Sequence, residues 1–92
     1  MSDAIRGTFQ IVNLLGLHAR AAATLVRVTS RFKAGITLTK DGQTVNGKSI
    51  LGIMTLAAAR GSFVTVVCDG EDAREALVAI EACIASRFGE GE

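Results

Sequence analysis

Proline is absent from this chain, so its turns rest on other residues, chiefly ten glycines. Cysteine is scarce as well. Cys68 and Cys83 fall in strand-like and helix-like patterns and read as buried free thiols rather than a disulfide framework. One histidine, His18, together with two distant cysteines makes a poor ligand set, so neither a metal nor another cofactor is expected. Charge of one sign is not in excess either. A formal net charge of +1 gives no bulk attraction to nucleic acid or to an anionic membrane, and none of the four phenylalanines lies in a stacking motif. No apolar run approaches the ~20 residues of a membrane span, and MSDAIRGTFQ lacks the charged-then-apolar layout of a signal peptide. The reading is a soluble, cytoplasmic chain, and any function that uses charge must come from a local patch.

What is present fits one domain over residues 1–92, with 1–3 and 89–92 expected to fray. Period-2 alternation of Ile5, Phe9 and Ile11 predicts a strand over 5–12, which Gly16 breaks. Helical spacing of Ala22, Leu25, Val26 and Thr29 predicts a helix from Ala19 to Arg31, with Phe32 continuing its stripe. Ile36 and Leu38 alternate with threonines up to Asp41-Gly42, a strong hairpin signal because both turn residues need positive φ. Thr44 and Val45 begin the return strand. Ser49 then precedes a short apolar helix, Ile50 to about Ala58, closed by Arg60-Gly61. A strand over 63–68 puts Val64, Val66 and Cys68 on one face. Asp72 and Glu75 form a capping box for a last helix to about Phe88, whose stripe is Leu77, Ile80 and Ile84. The order β-α-β-β-α-β-α predicts an α+β, open-faced β-sandwich: a four-stranded antiparallel sheet with three helices on one face and water on the other.

The chemistry concentrates in NLLGLHARAA, residues 13–22. A helix N-terminus carries unpaired backbone amides and a partial positive charge, which acidic or hydroxyl residues usually answer. Here His18-Ala19-Arg20-Ala21 answers with no anion, and no acidic residue stands nearby. The arrangement makes sense if an external anion arrives. A phosphate on His18 would meet the amides of Ala19, Arg20 and Ala21 and a guanidinium able to grip it with two hydrogen bonds. Imidazole offers a neutral nitrogen nucleophile near pH 7 and forms a labile N–P bond. A local cap or plain surface histidine stays open on spacing alone, and no nucleophile motif supports a hydrolase triad.

Gly16-Leu17-His18-Ala19-Arg20, with Ala22 and Leu25-Val26, resembles the active-site signature of the histidine-containing phosphocarrier (HPr) family of the bacterial phosphoenolpyruvate-dependent phosphotransferase system. Val45-Asn46-Gly47-Lys48-Ser49-Ile50-Leu51-Gly52-Ile53-Met54 resembles its second signature, around a regulatory serine, and Gly70-Glu71-Asp72 matches as well. The resemblance spans nearly the whole chain. It implies that His18 is phosphorylated on Nδ1 by enzyme I and passes the group to IIA components, with Arg20 steadying it. It implies a carrier with a transient phosphohistidine rather than an independent catalyst, acting as a monomer without nucleic acid or membrane. The family usually has proline directly after the arginine, where this chain has Ala21.

Ser49 reads first as a helix N-cap, and the resemblance adds that the matching serine is the target of an HPr kinase/phosphorylase in some bacteria. Phosphate there would favour the helix and act on docking instead. Ile50, Leu51, Met54 and Leu56 are too many apolar side chains for one buried stripe, so some are expected to be exposed. With Arg20, Lys48 and Arg27 as a basic rim, they form a docking patch for acidic partner proteins. The runner-up reading is a regulatory module of the same fold, on the nitrogen-related branch or read through Ser49, with no role in sugar transport.

Overall fold

Alternation sets the inner face of the sheet: Val64, Val66 and Cys68 are fully buried, as are Ile36 and Leu38 on a neighbouring strand. The computed structural model describes residues 4–92. In chain order its elements are β1 (Ile5–Gln10), α1 (Ala19–Thr29), β2 (Gly35–Lys40), β3 (Gln43–Asn46), α2 (Ile50–Thr55), β4 (Phe63–Asp69) and α3 (Ala73–Ala85), followed by a 3-10 turn, Arg87–Gly89. The sheet is antiparallel throughout, in the order β1-β4-β2-β3. Registers Ile5↔Cys68, Phe9↔Val64, Leu38↔Val66 and Leu38↔Val45 align the apolar side chains. The opposite face is polar. Thr8, Thr65, Thr39 and Thr44 stand in one row across all the strands, with hydroxyl contacts of 3.0 Å (Thr8 to Thr65) and 2.8 Å (Thr39 to Thr44). Asp41 and Gly42 take the positive φ values, 50° and 81°, that the hairpin requires.

The helices hold the core against the inner face. α1 buries Ala21, Ala22, Leu25, Val28 and Thr29, and α3 packs on β1 and β4. Val26 is only half-buried, because the stripe is centred one residue away from its expected line. The Thr29 hydroxyl is buried and donates to the Gly47 carbonyl at 2.8 Å, tying α1 to the segment before α2. Both cysteines are free and buried, and burial pushes both thiols up from their ordinary value.

Helix ends depart from the sequence-based expectation. α1 stops at Thr29 rather than Arg31; the Arg31 and Phe32 amides donate to Val28 and Thr29 in a tightened last turn. α2 ends at Thr55, well short of Ala58, and Ala57 is left-handed with φ 49°. That exit lets the Ala58 carbonyl accept from the Leu17 amide at 2.9 Å. Gly16 makes room for the contact: its φ is +67°, and a Cβ there would sit 2.3 Å from the Ala58 oxygen. Gly61 does not close α2; it turns the chain into β4 and donates to the Ile11 carbonyl at 2.7 Å.

The Asp72–Glu75 capping box does not form. Asp72 occupies the N-cap of α3 without a side-chain cap bond. Its carboxylate instead accepts from the Lys33 and Ala34 amides, both at 2.8 Å, which pins the α1–β2 connection to the start of α3. The Lys33 amide is the largest influence holding that carboxyl below its usual range. α3 ends at Ala85 rather than Phe88; Arg87 and Phe88 are left-handed, with φ 60° and 56°, and turn the chain back. The segment expected to fray at 89–92 is folded onto the His18 loop, as described below. Residues 1–3, also expected to fray, lie outside the described residues.

Candidate functional site

His18 is the N-cap of α1, in extended backbone (φ −74°, ψ −179°), and its carbonyl accepts from the Ala22 amide at 2.8 Å. Its side chain makes no cap bond, and the first turn contains no acidic residue. The amides of Ala19, Arg20 and Ala21 therefore stand at the open end of an eleven-residue helix. Ala19 and Arg20 are exposed and Ala21 is fully buried, so the helix enters the core directly below the site. The loop carrying His18 is fixed from both sides. Ile11 exchanges backbone bonds with Ser62 and Gly61, and Leu17 is held by Ala58. The imidazole, 29% exposed, separates two depressions. Leu14, Leu15, Arg20 and the Phe88–Glu92 segment line one, and Leu15, Met54 and Ala57–Ala59 line the other.

An acidic residue does stand beside His18, though remote in sequence. The Nε2 atom lies 2.5 Å from Glu90 Oε2, across a separation of 72 residues. Glu90 Oε1 accepts from Asn13 Nδ2 at 2.9 Å, and the same amide group donates to the Gly16 carbonyl at 2.9 Å. Asn13 is fully buried, and its Oδ1 has no protein partner among the described residues. Phe88, 3% exposed, anchors the turn that delivers Glu90, and the Leu14 amide donates to the Glu92 carbonyl at 3.1 Å. The Asn13 bond is the strongest influence lowering the Glu90 carboxyl below its usual range, aided by His18 and the Arg20 charge and opposed by partial burial. Sequence reasoning missed Asn13 and Glu90. The available signal was Phe88, a large apolar side chain in a glycine-rich polar tail, which had to be buried somewhere.

Among the remaining candidates, Ser49 caps α2 as expected, its Oγ accepting from the Gly52 amide at 3.0 Å. Ile50, Leu51 and Met54 are exposed, Leu51 by 75%, while Ile53 and Leu56 are buried. Leu14 and Leu15 add exposed apolar surface beside His18. The predicted basic rim is partly engaged elsewhere. Lys48 Nζ donates to the Phe32 carbonyl at 2.7 Å, and Arg27 donates to Thr24 on its own helix at 3.1 Å. The Arg20 guanidinium has no hydrogen-bond partner among the described residues.

A family model described as "PTS HPr component phosphorylation site" matches residues 5–86. The chain belongs to the HPr family. It is 50% identical over 82 residues to the phosphocarrier protein HPr of Cupriavidus necator, covering 89% of this chain and 92% of that protein. The crystal structure of HPr-C-His from Thermoanaerobacter tengcongensis superposes with a TM-score of 0.91 at 42% identity, covering 96% of this chain and 99% of that one. An HPr dimer from the same organism matches at 44% identity with a TM-score of 0.76, over 89% and 94% of the two chains. The β1-β4-β2-β3 sheet with its three helices is the fold this chain shares with those HPr structures. The chain is thus a phosphocarrier-family member of the phosphotransferase system, and among its described residues no helix is long and apolar enough to cross a membrane.

Proposed function

We propose that this chain is a cytoplasmic carrier that takes a phosphoryl group onto His18 Nδ1 from the phosphohistidine of enzyme I and passes it to a histidine of a IIA component. The observation that carries the reading is the start of α1, where an N-cap imidazole replaces the usual capping side chain and no acid occupies the first turn. The Nδ1 lone pair attacks phosphorus while the N–P bond of the donor breaks and its electron pair returns to the donor ring. The new phosphoryl oxygens then face the Ala19, Arg20 and Ala21 amides and the Arg20 guanidinium, which bind anions by hydrogen bonding and charge. The partners bring the rest of the machinery. Docking uses Ile50, Leu51 and Met54 together with Leu14 and Leu15, an apolar surface around the imidazole with Arg20 at its edge. The working form is a monomer, since the same His18 face must meet donor and acceptor in turn.

The test is incubation with phosphoenolpyruvate and enzyme I. The expected product carries an acid-labile, base-stable phosphate on the wild type and none on His18→Ala. Label retained in His18→Ala would overturn the assignment.

Ser49 is the proposed regulatory position, phosphorylated by an HPr kinase/phosphorylase in cells that have one. Its Oγ already serves as an acceptor at the start of α2, so a phosphate there preserves the cap and adds about −2 charge beside Ile50 and Leu51. The effect falls on docking: a slower transfer in Ser49→Asp, with Ser49→Ala unchanged, is expected.

A further inference from the structure

We propose that Glu90 is a positioning residue for His18, holding the imidazole in the tautomer whose lone pair lies on Nδ1 and steadying the ring once that nitrogen bears phosphorus. The proposal rests on the carrier reading above, which by itself needs only the imidazole, the amides and Arg20. Glu90 lies beyond residue 86, where the match to the family model ends.

The contact is built from several sides. Phe88 is buried and fixes the turn, the Glu92 carbonyl is held by Leu14, and Asn13 grips one carboxylate oxygen. With Oε1 taken by Asn13, Oε2 is the atom presented to Nε2. An ionised carboxylate offers acceptors only, so the hydrogen in this bond belongs to Nε2, and the lone pair is left on Nδ1. Nothing among the described residues hydrogen-bonds Nδ1. The nucleophilic nitrogen is therefore the one left without a partner among the described residues.

During transfer the Nδ1–P bond forms as the donor N–P bond breaks, and no proton has to move. A ring with phosphorus on Nδ1 and hydrogen on Nε2 carries positive charge, which the Glu90 carboxylate meets directly. Onward transfer returns the Nδ1–P electron pair to the ring, and Nε2 keeps its hydrogen throughout. Nε2 and Nδ1 point away from each other, so the carboxylate serves the ring while Arg20 serves the phosphoryl oxygens.

Glu90→Gln separates positioning from packing. Asn13 keeps the amide oxygen, which turns the amide NH2 group toward Nε2; Nε2 must then accept, and the proton moves to Nδ1, the wrong tautomer. Ring 15N spectra of the full chain should show hydrogen on Nε2 in the wild type and a rising share on Nδ1 in Glu90→Gln. Labelling by enzyme I should slow about tenfold in this variant, in kcat rather than KM. Glu90→Ala imposes neither tautomer and should fall between the two. A merely structural role predicts the reverse order, since glutamine fills the same space, and alanine falling below glutamine would overturn the proposal. So would a Glu90→Gln protein with wild-type spectra that is labelled within about twofold of the wild-type rate, while the carrier reading stood. An unlabelled wild type would overturn the carrier reading, and this proposal with it.

Discussion

Two helix starts in this molecule face the same electrostatic problem and resolve it differently. Both N-cap residues are extended, and neither first turn contains an acid. At α2 the Ser49 hydroxyl accepts from Gly52, and the turn is finished from within. At α1 the N-cap side chain makes no bond to the amides and meets Glu90 instead, and Arg20 adds positive charge where the dipole is already positive. A start that satisfies itself stabilises the fold. One left open, with a cation beside it, is suited to an anion that arrives later.

Arg20 is where that contrast breaks most sharply. An exposed cation in the first turn of a helix is mildly unfavourable, so Arg20→Ala should leave the melting temperature unchanged or slightly raised. Transfer should suffer far more, since a charge-assisted bond to phosphate contributes about 1.5–3 kcal/mol, or roughly 10- to 100-fold. Arg20→Lys should fall between, because a point charge cannot reproduce the two-pronged grip. Equal labelling rates for all three proteins would show that the open helix start does not hold the group through Arg20.

The caps themselves provide the next test, and its two halves should mirror each other. Ser49→Ala removes a working cap and should cost about 1 kcal/mol, a fall in Tm of about 4–8 °C for a chain this size, with labelling intact. At α1 the useful comparison is His18→Ser against His18→Ala, since both lose the nucleophile and the Glu90 contact. The serine should cap α1 and be the more stable by about 1 kcal/mol. Calorimetry checks both. If His18→Ser gains nothing, the first turn of α1 is not open to a capping acceptor.

What could be read from the sequence divides along the same line. Ser49 caps through a residue three positions away, and the Asp41-Gly42 turn and the burial of Val64, Val66 and Cys68 follow from equally local patterns. The errors that bear on the site lie where distant residues decide. Asp72 has the right neighbour for a capping box, but two backbone amides from 33 and 34 occupy its oxygens. α2 ends early because Leu17 needs the Ala58 carbonyl. His18 has no acid near it in sequence, yet the glycine-rich tail brings Glu90 to its ring, guided by a buried asparagine at position 13 that carries no motif of its own. His18 and Arg20 stand out in the sequence as a pair because their oddity is local.

Ala21, where the family usually has proline, gives the smallest expected effect and separates the two roles of a helix start most finely. The first intrahelical bond at this end is Ala22 to His18, so the Ala21 amide makes none, and proline there would forfeit no helix bond. Restricting the unfolded chain should stabilise Ala21→Pro by about 0.4–1 kcal/mol. The ring carbon attached to nitrogen would take the place of the N–H, so position 21 would have no donor to offer. The phosphorylated form would then lose one neutral donor, about 1 kcal/mol, so the labelled fraction at equilibrium with enzyme I should fall severalfold. A higher Tm with a lower labelled fraction would show that this chain gives up rigidity for an extra amide. A higher Tm with labelling unchanged would mean the anion is held by Ala19 and Arg20 alone, and that alanine and proline are equivalent in the site.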